Sequence, residues 1–291
     1  MKNRKGTSSA IAPLALMGIL WNPVMAFDYP VAPASPQPKG WPLTEEEMAY
    51  NLKPEYERRP SKDGKFTPEF WPSVPFAQFW GGPAYVEHHN NMVKMVRAQK
   101  GPCDVLLVGD SITIQFEKDL KGSENWKLQF PEYKAVNIGV GGDRTSSVLW
   151  RLDHGGADGL EPRSIVLMIG NNNMFFAPET GTTPIAKGIE VCVDRLRDQF
   201  PKTPIILVKI LPCGSKDDAF YKNIVATNAA LDPLNIDKKN NVKVLDIWKE
   251  FVREDGSLKE ELFMADKIHP NKAGYEVYAK HLRPLLKEVL K

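Results

Sequence analysis

The sequence predicts an α/β protein, a three-layer α/β/α sandwich with a five-stranded parallel sheet. Five short apolar runs, rich in Val, Ile and Leu, are bounded by Gly, Pro or Asn, which is typical of buried parallel strands. Helical patterns separate these runs, and the alternation of strands and helices indicates a parallel sheet covered on both faces. We expect residues 84–291 to form this one domain.

The strands and helices follow in order along this domain. The predicted strands are residues 105–108, 133–138, 164–169, 204–211 and 242–247. The clearest predicted helices span residues 84–99, 184–199 and 271–290. In the second of these helices Thr183 is placed as the N-cap and Pro184 at the first helical position, where a missing amide proton costs nothing.

Residues 1–26 have the pattern of a signal peptide. Lys2, Arg4 and Lys5 precede an apolar stretch at residues 10–21, and small or aliphatic residues end at Ala26. The apolar stretch is shorter than the roughly 20 residues that span a bilayer. Cleavage after Ala26 would export the protein to the periplasm or the medium, with no stable membrane insertion afterwards. An uncleaved anchor is the alternative.

A second segment, residues 27–83, is predicted to be an extended arm, because it holds 11 of the 24 prolines. Residues 44–51 are predicted to form one isolated helix in it. The arm also carries Trp41, Trp71 and Trp80. Packing of these rings against the domain is one interpretation, and stacking on sugar rings is the other.

Charge and cysteine content exclude several classes of protein. The net charge of +2, from 38 basic and 36 acidic residues, lacks the basic excess of a nucleic-acid binder. Removing the three cations of the signal peptide leaves 35 against 36, a net of −1. Cys103, Cys192 and Cys213 show no C-x-x-C spacing, so no structural zinc is expected, and whether any two of them pair is left open. We predict neither a metal nor a cofactor.

Ligands of a parallel sheet bind at the carboxyl ends of its strands, so the loops after the strands are where chemistry is expected. After the first strand comes Gly109-Asp110-Ser111, leading into a helix. A serine on a tight strand-to-helix turn exposes its hydroxyl near the positive end of a helix dipole, as a nucleophile would need. A simple N-cap is the other interpretation of Ser111.

Two further loops carry groups that could stabilise an oxyanion. Gly139, Gly141 and Gly142 follow the second strand, and glycines let backbone amides approach a ligand closely. The third strand ends in a run of asparagines, residues 171–173, and a side-chain amide there can donate a hydrogen bond without titrating. A tight turn is the structural alternative for each loop.

Asp266 and His269 lie just before the last predicted helix. Their three-residue separation lets the carboxylate accept a hydrogen bond from one ring nitrogen, which leaves the other nitrogen to act as a base.

The four loops occur together in this order, and with them the chain resembles the SGNH (GDSL) hydrolase family, whose blocks are named for Ser, Gly, Asn and His. Residues 141–143 and 148–152 and the asparagine run are similar to the platelet-activating-factor acetylhydrolase-like branch. The resemblance covers roughly residues 104–290 and implies a flavodoxin-like fold. It implies Ser111 as nucleophile, His269 as general base and Asp266 as its partner, with oxyanion donors from Ser111, Gly142 and Asn172. Three adjacent asparagines leave the donor open to a shift by one residue.

The resemblance implies a serine esterase without a metal, and the predicted signal peptide makes it an exported one. Export and the tryptophans of the arm, and not the resemblance, favour a carbohydrate substrate. The predicted substrate is a small-molecule or glycan ester, first of all an O-acetyl group on carbohydrate. A short-acyl lipid esterase of the lysophospholipase or acetylhydrolase type is the alternative. A carbohydrate-binding protein on an inactive hydrolase fold is a third interpretation. The sequence does not determine the oligomeric state.

Overall fold

The computed structural model describes residues 82–117, 124–176, 182–234, 236, 239 and 241–291. The predicted signal peptide, nearly all of the predicted arm and its helix at residues 44–51 lie outside the described residues, and so do Trp41, Trp71 and Trp80. These predictions remain untested.

Five parallel strands form one sheet in the order β2-β1-β3-β4-β5, with β1 paired to both β2 and β3. The chain therefore moves outward from β1 to β2 and then crosses back to build the other side from β3. This order places the reversal between β1 and β3, where open α/β sheets bind ligands. The strands are β1 (Gly101–Gly109), β2 (Ala135–Asn137), β3 (Leu160–Met168), β4 (Ile205–Val208) and β5 (Val242–Leu245).

Helices lie on both faces of the sheet, which confirms the predicted three-layer α/β/α architecture. The described helices are α1 (Gly82–Ala98), α2 (Ser111–Glu117), α3 (Asn125–Gln129), α4 (Thr145–Asp153), α5 (Asn171–Phe176), α6 (Thr182–Gln199), α7 (Ala219–Leu231), α8 (Trp248–Phe251) and α9 (Lys272–Val289).

Alternate residues of the central strands pack against opposite helical layers. Val105 and Leu107 of β1 belong to an apolar core with Phe116 of α2 and with Tyr275 and Leu282 of α9. The intervening Leu106 is fully buried toward the other face. On that side α4 contacts α6 and α6 contacts α7. Because both faces of β1 are buried, its sequence is a continuous apolar run and not an alternating one.

The strand predictions are right in number and order and differ in length. Strand β1 begins at Gly101, four residues earlier than predicted, because Gly101 to Cys103 pair with the start of β3. Strand β4 ends at Val208, three residues earlier than predicted. Within the predicted range 204–211, only Ile205 to Val208 pair with β3 or β5. The apolar residues after Val208 are buried in a loop instead.

One long helix, α7, was not predicted. Its buried residues include Tyr221, Ile224 and Leu231, but polar Thr227 and Asn228 lie on the same buried surface. The apolar stripe is therefore interrupted, which weakens the helical periodicity in the sequence. Helix α6 begins at Thr182, so Thr183 lies inside it and is not its N-cap.

A search of the described residues for membrane-spanning segments found no helix with the length and apolar character to cross a bilayer.

We predict that Leu106→Ala lowers the free energy of unfolding by about 3–5 kcal/mol, because it leaves a cavity in the middle of the buried sheet. The matched control is Leu128→Ala, since Leu128 is 58% exposed, and this change should stay within about 0.5 kcal/mol. Urea denaturation of the three proteins measures both effects. Equal destabilisation by the two substitutions would contradict the burial assigned to β1.

Candidate active site

Ser111 is the first residue of α2 and follows β1 after a single residue, Asp110. The turn is tight: a side chain on Gly109 would meet the Met168 carbonyl oxygen at 2.2 Å, so only glycine fits there. Asp110 Oδ1 accepts a hydrogen bond of 3.0 Å from the Ile112 amide and so fixes the start of the helix. Ser111 is thereby held at the carboxyl end of β1.

The last loop of the domain brings His269 to this serine. His269 Nε2 lies 2.8 Å from Ser111 Oγ, and His269 Nδ1 lies 2.7 Å from Asp266 Oδ2. Ser111, His269 and Asp266 therefore form one continuous chain of hydrogen bonds, although Ser111 and His269 are 158 positions apart in the sequence. His269 is 8% exposed, so its ring is largely shielded from water.

A compact turn fixes the acid that orients this ring. Asp266 Oδ1 accepts from the amides of Ile268 and His269 at 2.9 and 3.0 Å. Lys267 between them has a φ of 56°, the left-handed conformation that closes the turn. Burial opposes the charge of Asp266, but the hydrogen bonds from His269 and Ile268 outweigh it and lower the pKa of its carboxyl to about 2. Asp266 is therefore an anion at neutral pH.

The helices that follow Ser111 and His269 are joined directly. Tyr275 of α9 donates a 2.8 Å hydrogen bond from its hydroxyl to the carbonyl oxygen of Ile112 in α2. Asn271 caps α9 by accepting from the Gly274 amide, and its side-chain amide donates to the Phe263 carbonyl oxygen. The two ends of the Ser111–His269 pair are thus fixed to each other through α2 and α9 as well as through the sheet.

The glycine loop after β2 lies beside the serine. Val140 to Asp143 form a turn closed by a hydrogen bond from the Asp143 amide to the Val140 carbonyl oxygen, and Gly142 has a φ of 80° at its third position. That value matches a type II turn, which favours glycine there. A side chain on Gly141 would come within 4.0 Å of Ser111 Cβ, which shows how close this loop runs to Ser111.

The three adjacent asparagines have different surroundings. Asn171 is buried with its Oδ1 3.5 Å from Cys213 Sγ. Asn173 is buried and bonds twice to Thr145, accepting from its amide and donating to its hydroxyl. Only Asn172 of the three is half-exposed, and its Nδ2 donates to the Asp143 carbonyl oxygen at 3.0 Å. An amide nitrogen carries two protons, and the second proton of Asn172 has only a long contact of 3.5 Å to Asp110 Oδ2, for which a ligand at this edge can compete.

Asp110 is a buried acid that the sequence does not mark as unusual. It is 1% exposed, and burial raises the pKa of its carboxyl to about 7, against the opposing effects of the Ile112 amide and of His269. Its Oδ2 lies 3.5 Å from Asn172 Nδ2. The site thus contains a second carboxyl besides that of Asp266, and unlike Asp266 this carboxyl changes its protonation near neutral pH.

Arg151 and Tyr85 also reach the site, and neither was among the predicted site residues. Both bond to the carboxylate of Asp143, the residue after Gly142. Arg151 lies in residues 148–152, which resemble the acetylhydrolase-like branch, but that resemblance gave it no role. Tyr85 comes from α1, far from any of the four loops in sequence.

The cysteines and His89 take no part in the hydrogen-bond chain of Ser111, His269 and Asp266. Cys103, Cys192 and Cys213 are free thiols in this structure, and all are buried. His89 packs edge-on against Trp150, and burial followed by the charge of Arg151 lowers its pKa to about 3. Within the described part of the chain, no group of three or more His, Cys, Asp or Glu side chains is arranged to hold a metal ion.

The residues that form the site lie within a region that matches a known family. A model of the GDSL-like lipase/acylhydrolase family matches residues 107–277, more than half of the chain. The chain belongs to the GDSL-like lipase/acylhydrolase family. The prediction of a carboxylic ester hydrolase is confirmed at this level, and the matched residues include all four loops described above.

Two named relatives are subunits of acetylhydrolases. Platelet-activating factor acetylhydrolase IB subunit alpha2 of Rattus norvegicus is 33% identical over 211 residues, which cover 72% of this chain and 86% of that protein. The Homo sapiens protein of the same name is 32% identical over the same coverage.

Solved structures share the fold at lower identity. A GDSL-like lipase from Bacteroides thetaiotaomicron superimposes with a TM-score of 0.54 at 18% identity, covering 71% of this chain and 97% of that one. A member of the lipolytic G-D-S-L family from Veillonella parvula gives a TM-score of 0.52 at 18% identity, covering 64% and 98%. Both support the fold assignment.

The raised pKa of Asp110 predicts a pH-dependent stability. Between about pH 4 and pH 7 the folded protein keeps a proton on Asp110 that the unfolded chain has released, so its stability falls as pH rises through this range. Asp110→Asn removes this pH-dependent loss of stability, because a side-chain amide does not titrate. We expect the variant to gain stability relative to the unmodified protein between pH 4 and pH 8, by at most about 4 kcal/mol.

Urea denaturation at a series of pH values measures this difference. Asp217→Asn, at an exposed position, gives the effect of the same chemical change outside the site. A stability difference between Asp110→Asn and the unmodified protein that is constant from pH 4 to pH 8 would contradict the assigned pKa.

Proposed function

We propose that this protein is a serine esterase that hydrolyses short-chain carboxylic esters, acetyl esters above all, through an acyl-enzyme on Ser111. The hydrogen-bond chain from Ser111 through His269 to Asp266, with distances of 2.8 and 2.7 Å, is the observation that carries the proposal. It is the arrangement that makes a serine hydroxyl nucleophilic. Membership of an acylhydrolase family supports the same reaction.

In the first half of the reaction, Ser111 Oγ attacks the ester carbonyl carbon while its proton passes to His269 Nε2. Asp266 accepts a hydrogen bond from the Nδ1–H of the ring, which keeps Nε2 free as a base and stabilises the imidazolium that forms. The imidazolium then gives its proton to the alcohol oxygen as the carbon–oxygen bond of the ester breaks. Alcohol leaves, and the acyl group remains on Ser111.

The negative charge that develops on the carbonyl oxygen needs donors that are already in place. We assign the backbone amides of Ser111 and Gly142 and the side-chain amide of Asn172 to this role. Ser111 begins a helix, Gly142 lies in the turn beside it, and Asn172 Nδ2 has, besides its bond to Asp143, only a long contact of 3.5 Å to Asp110 Oδ2. The proposed oxyanion hole thus draws on three separate loops.

In the second half, water takes the place of the alcohol. His269 removes a proton from the water as its oxygen attacks the acyl carbon, and the same three donors hold the second oxyanion. The proton returns through His269 to Ser111 Oγ, and the carboxylic acid is released. No further reactant is needed.

A lipid alcohol is the first candidate for the other half of the substrate. Relatives about one-third identical to this chain are named as platelet-activating factor acetylhydrolase subunits, and this name supports an acetyl ester on a lipid. A glycan alcohol is the second candidate, because predicted export after Ala26 and the tryptophans of the N-terminal arm favour a carbohydrate outside the cytoplasm.

We predict the highest kcat/KM on p-nitrophenyl acetate, with a fall of roughly tenfold or more by the eight-carbon ester, because a site shaped for an acetyl group must displace side chains to admit longer chains. The measurement is p-nitrophenol release across acyl chains of two to twelve carbons. Acetate release from a 2-acetyl phospholipid and from an O-acetylated glycan then compares the two alcohols.

The controls separate the site from the rest of the protein. Ser111→Ala should show no release above the buffer rate, whereas Ser257→Ala, in a turn stabilised by Asp255, should keep the full rate. Preference for acyl chains of eight or more carbons would reject a short-chain esterase, and full activity of Ser111→Ala would reject the assigned nucleophile.

A further inference from the structure

A buried ion pair lies directly behind the glycine loop. Arg151 of α4 places both Nε and Nη2 2.6 Å from Asp143 Oδ2, and the two side chains are 1% and 0% exposed. Removing two charges from water costs about as much as their attraction returns, so stability alone is a weak reason for such a pair. The other hydrogen-bond partners of Arg151 and Asp143 indicate a stronger reason for burying this pair.

Arg151 connects the ends of the two strands that flank the site. Its Nη1 donates a 2.7 Å hydrogen bond to the carbonyl oxygen of Ile138, just beyond β2, and its Nη2 lies 3.5 Å from the carbonyl oxygen of Gly109, the last residue of β1. A planar guanidinium with fixed donor directions is suited to holding several acceptors in one geometry. One side chain thus spans the strand before Ser111 and the loop before Gly142.

Asp143 connects this pair to the proposed oxyanion donors. Its carboxylate also accepts a 3.0 Å hydrogen bond from the Tyr85 hydroxyl. Its backbone amide closes the turn that contains Gly142, and its backbone carbonyl oxygen accepts from Asn172 Nδ2. The position of the Asp143 backbone therefore sets where both Gly142 and Asn172 present their N–H groups.

We propose that Arg151 and Tyr85 are positioning residues for the oxyanion hole and act through Asp143. Neither side chain touches the substrate; together they hold the Asp143 backbone where Gly142 and Asn172 meet the developing charge. Tyr85 lies in helix α1, outside residues 107–277 that match the family model. With this role for Tyr85, helix α1 is part of the functional unit of the chain. The proposal rests on the esterase function proposed above.

Tyr85→Phe is the mildest test, because it removes one hydroxyl and keeps the ion pair. We expect kcat on p-nitrophenyl acetate to fall roughly 3- to 10-fold with KM within about twofold, since the lost interaction matters chiefly in the transition state. Arg151→Lys keeps the charge and loses the fork, and should lower kcat by roughly 10- to 100-fold. Tyr221→Phe is the matched control, because its hydroxyl bonds to the Gly256 carbonyl oxygen, and it should keep the full kcat.

A double-mutant cycle with Asn172→Ala distinguishes positioning from general weakening of the fold. If Tyr85 acts through the oxyanion donors, Tyr85→Phe lowers kcat by a smaller factor in the Asn172→Ala background than in the unmodified protein. The same factor in both backgrounds, or an unchanged kcat in folded Tyr85→Phe, would overturn the proposal. Circular dichroism checks folding, and Tyr85→Phe decides the outcome if Arg151→Lys does not fold.

Ser111→Ala in the same assay separates this proposal from the one on which it rests. Inactive Ser111→Ala together with fully active Tyr85→Phe rejects only the positioning role. Active Ser111→Ala rejects the esterase mechanism and the positioning role with it.

Discussion

Strand β1 is hydrogen-bonded to β2 on one side and to β3 on the other, and the geometry of the whole site depends on this pairing. Because all three strands are parallel, their carboxyl ends meet at one edge. Ser111, the glycine loop and Asn172 follow these three ends directly. His269 comes from much farther along the chain: the loop before α9 returns it to the same edge, and the Tyr275 hydroxyl helps to hold it in place.

Three acidic residues around this edge differ in the hydrogen bonds, burial and charges that surround their carboxyl groups. Asp266 accepts three hydrogen bonds, which keep its pKa near 2 and make it a permanent anion for His269. Asp110 has backbone donors in the Ile112 amide and in its own amide, but burial outweighs them and raises its pKa to about 7. Asp143 is as deeply buried as Asp110, but Arg151 and Tyr85 surround its carboxylate. The pKa values of Asp110 and Asp266 thus differ because burial dominates at Asp110 and hydrogen bonds dominate at Asp266.

The sequence predicts those features of the fold that depend on local pattern. The continuous apolar run of β1 and the proline at the start of α6 are visible without a structure, and so is the order of the four loops. Helix α7 escapes prediction because Thr227 and Asn228 interrupt its apolar surface. The bond of Asn228 to the Ile210 backbone, a tertiary contact, explains why a polar residue is buried there.

The same distinction holds within the site. Ser111, Asp266 and His269 lie in recognisable loops, so the sequence marks all three, but only the fold brings Ser111 within 2.8 Å of a residue 158 positions away. The run of three asparagines cannot be resolved locally, because the partners that bury Asn171 and Asn173 come from the loop after β4 and from α4. Tyr85 has no local signature, and the family-like stretch around Arg151 does not reveal its partner, because only tertiary packing brings both side chains to Asp143.

The central claim is that Ser111 is a nucleophile activated by His269, and covalent capture tests it most directly. A fluorophosphonate reagent reacts when a serine oxygen displaces its fluoride, and peptide mass spectrometry locates the adduct. We expect one adduct on Ser111, none in Ser111→Ala, and labelling of His269→Ala at least 100-fold slower than that of the unmodified protein. An adduct on another residue, or labelling of His269→Ala at the unmodified rate, would contradict the account.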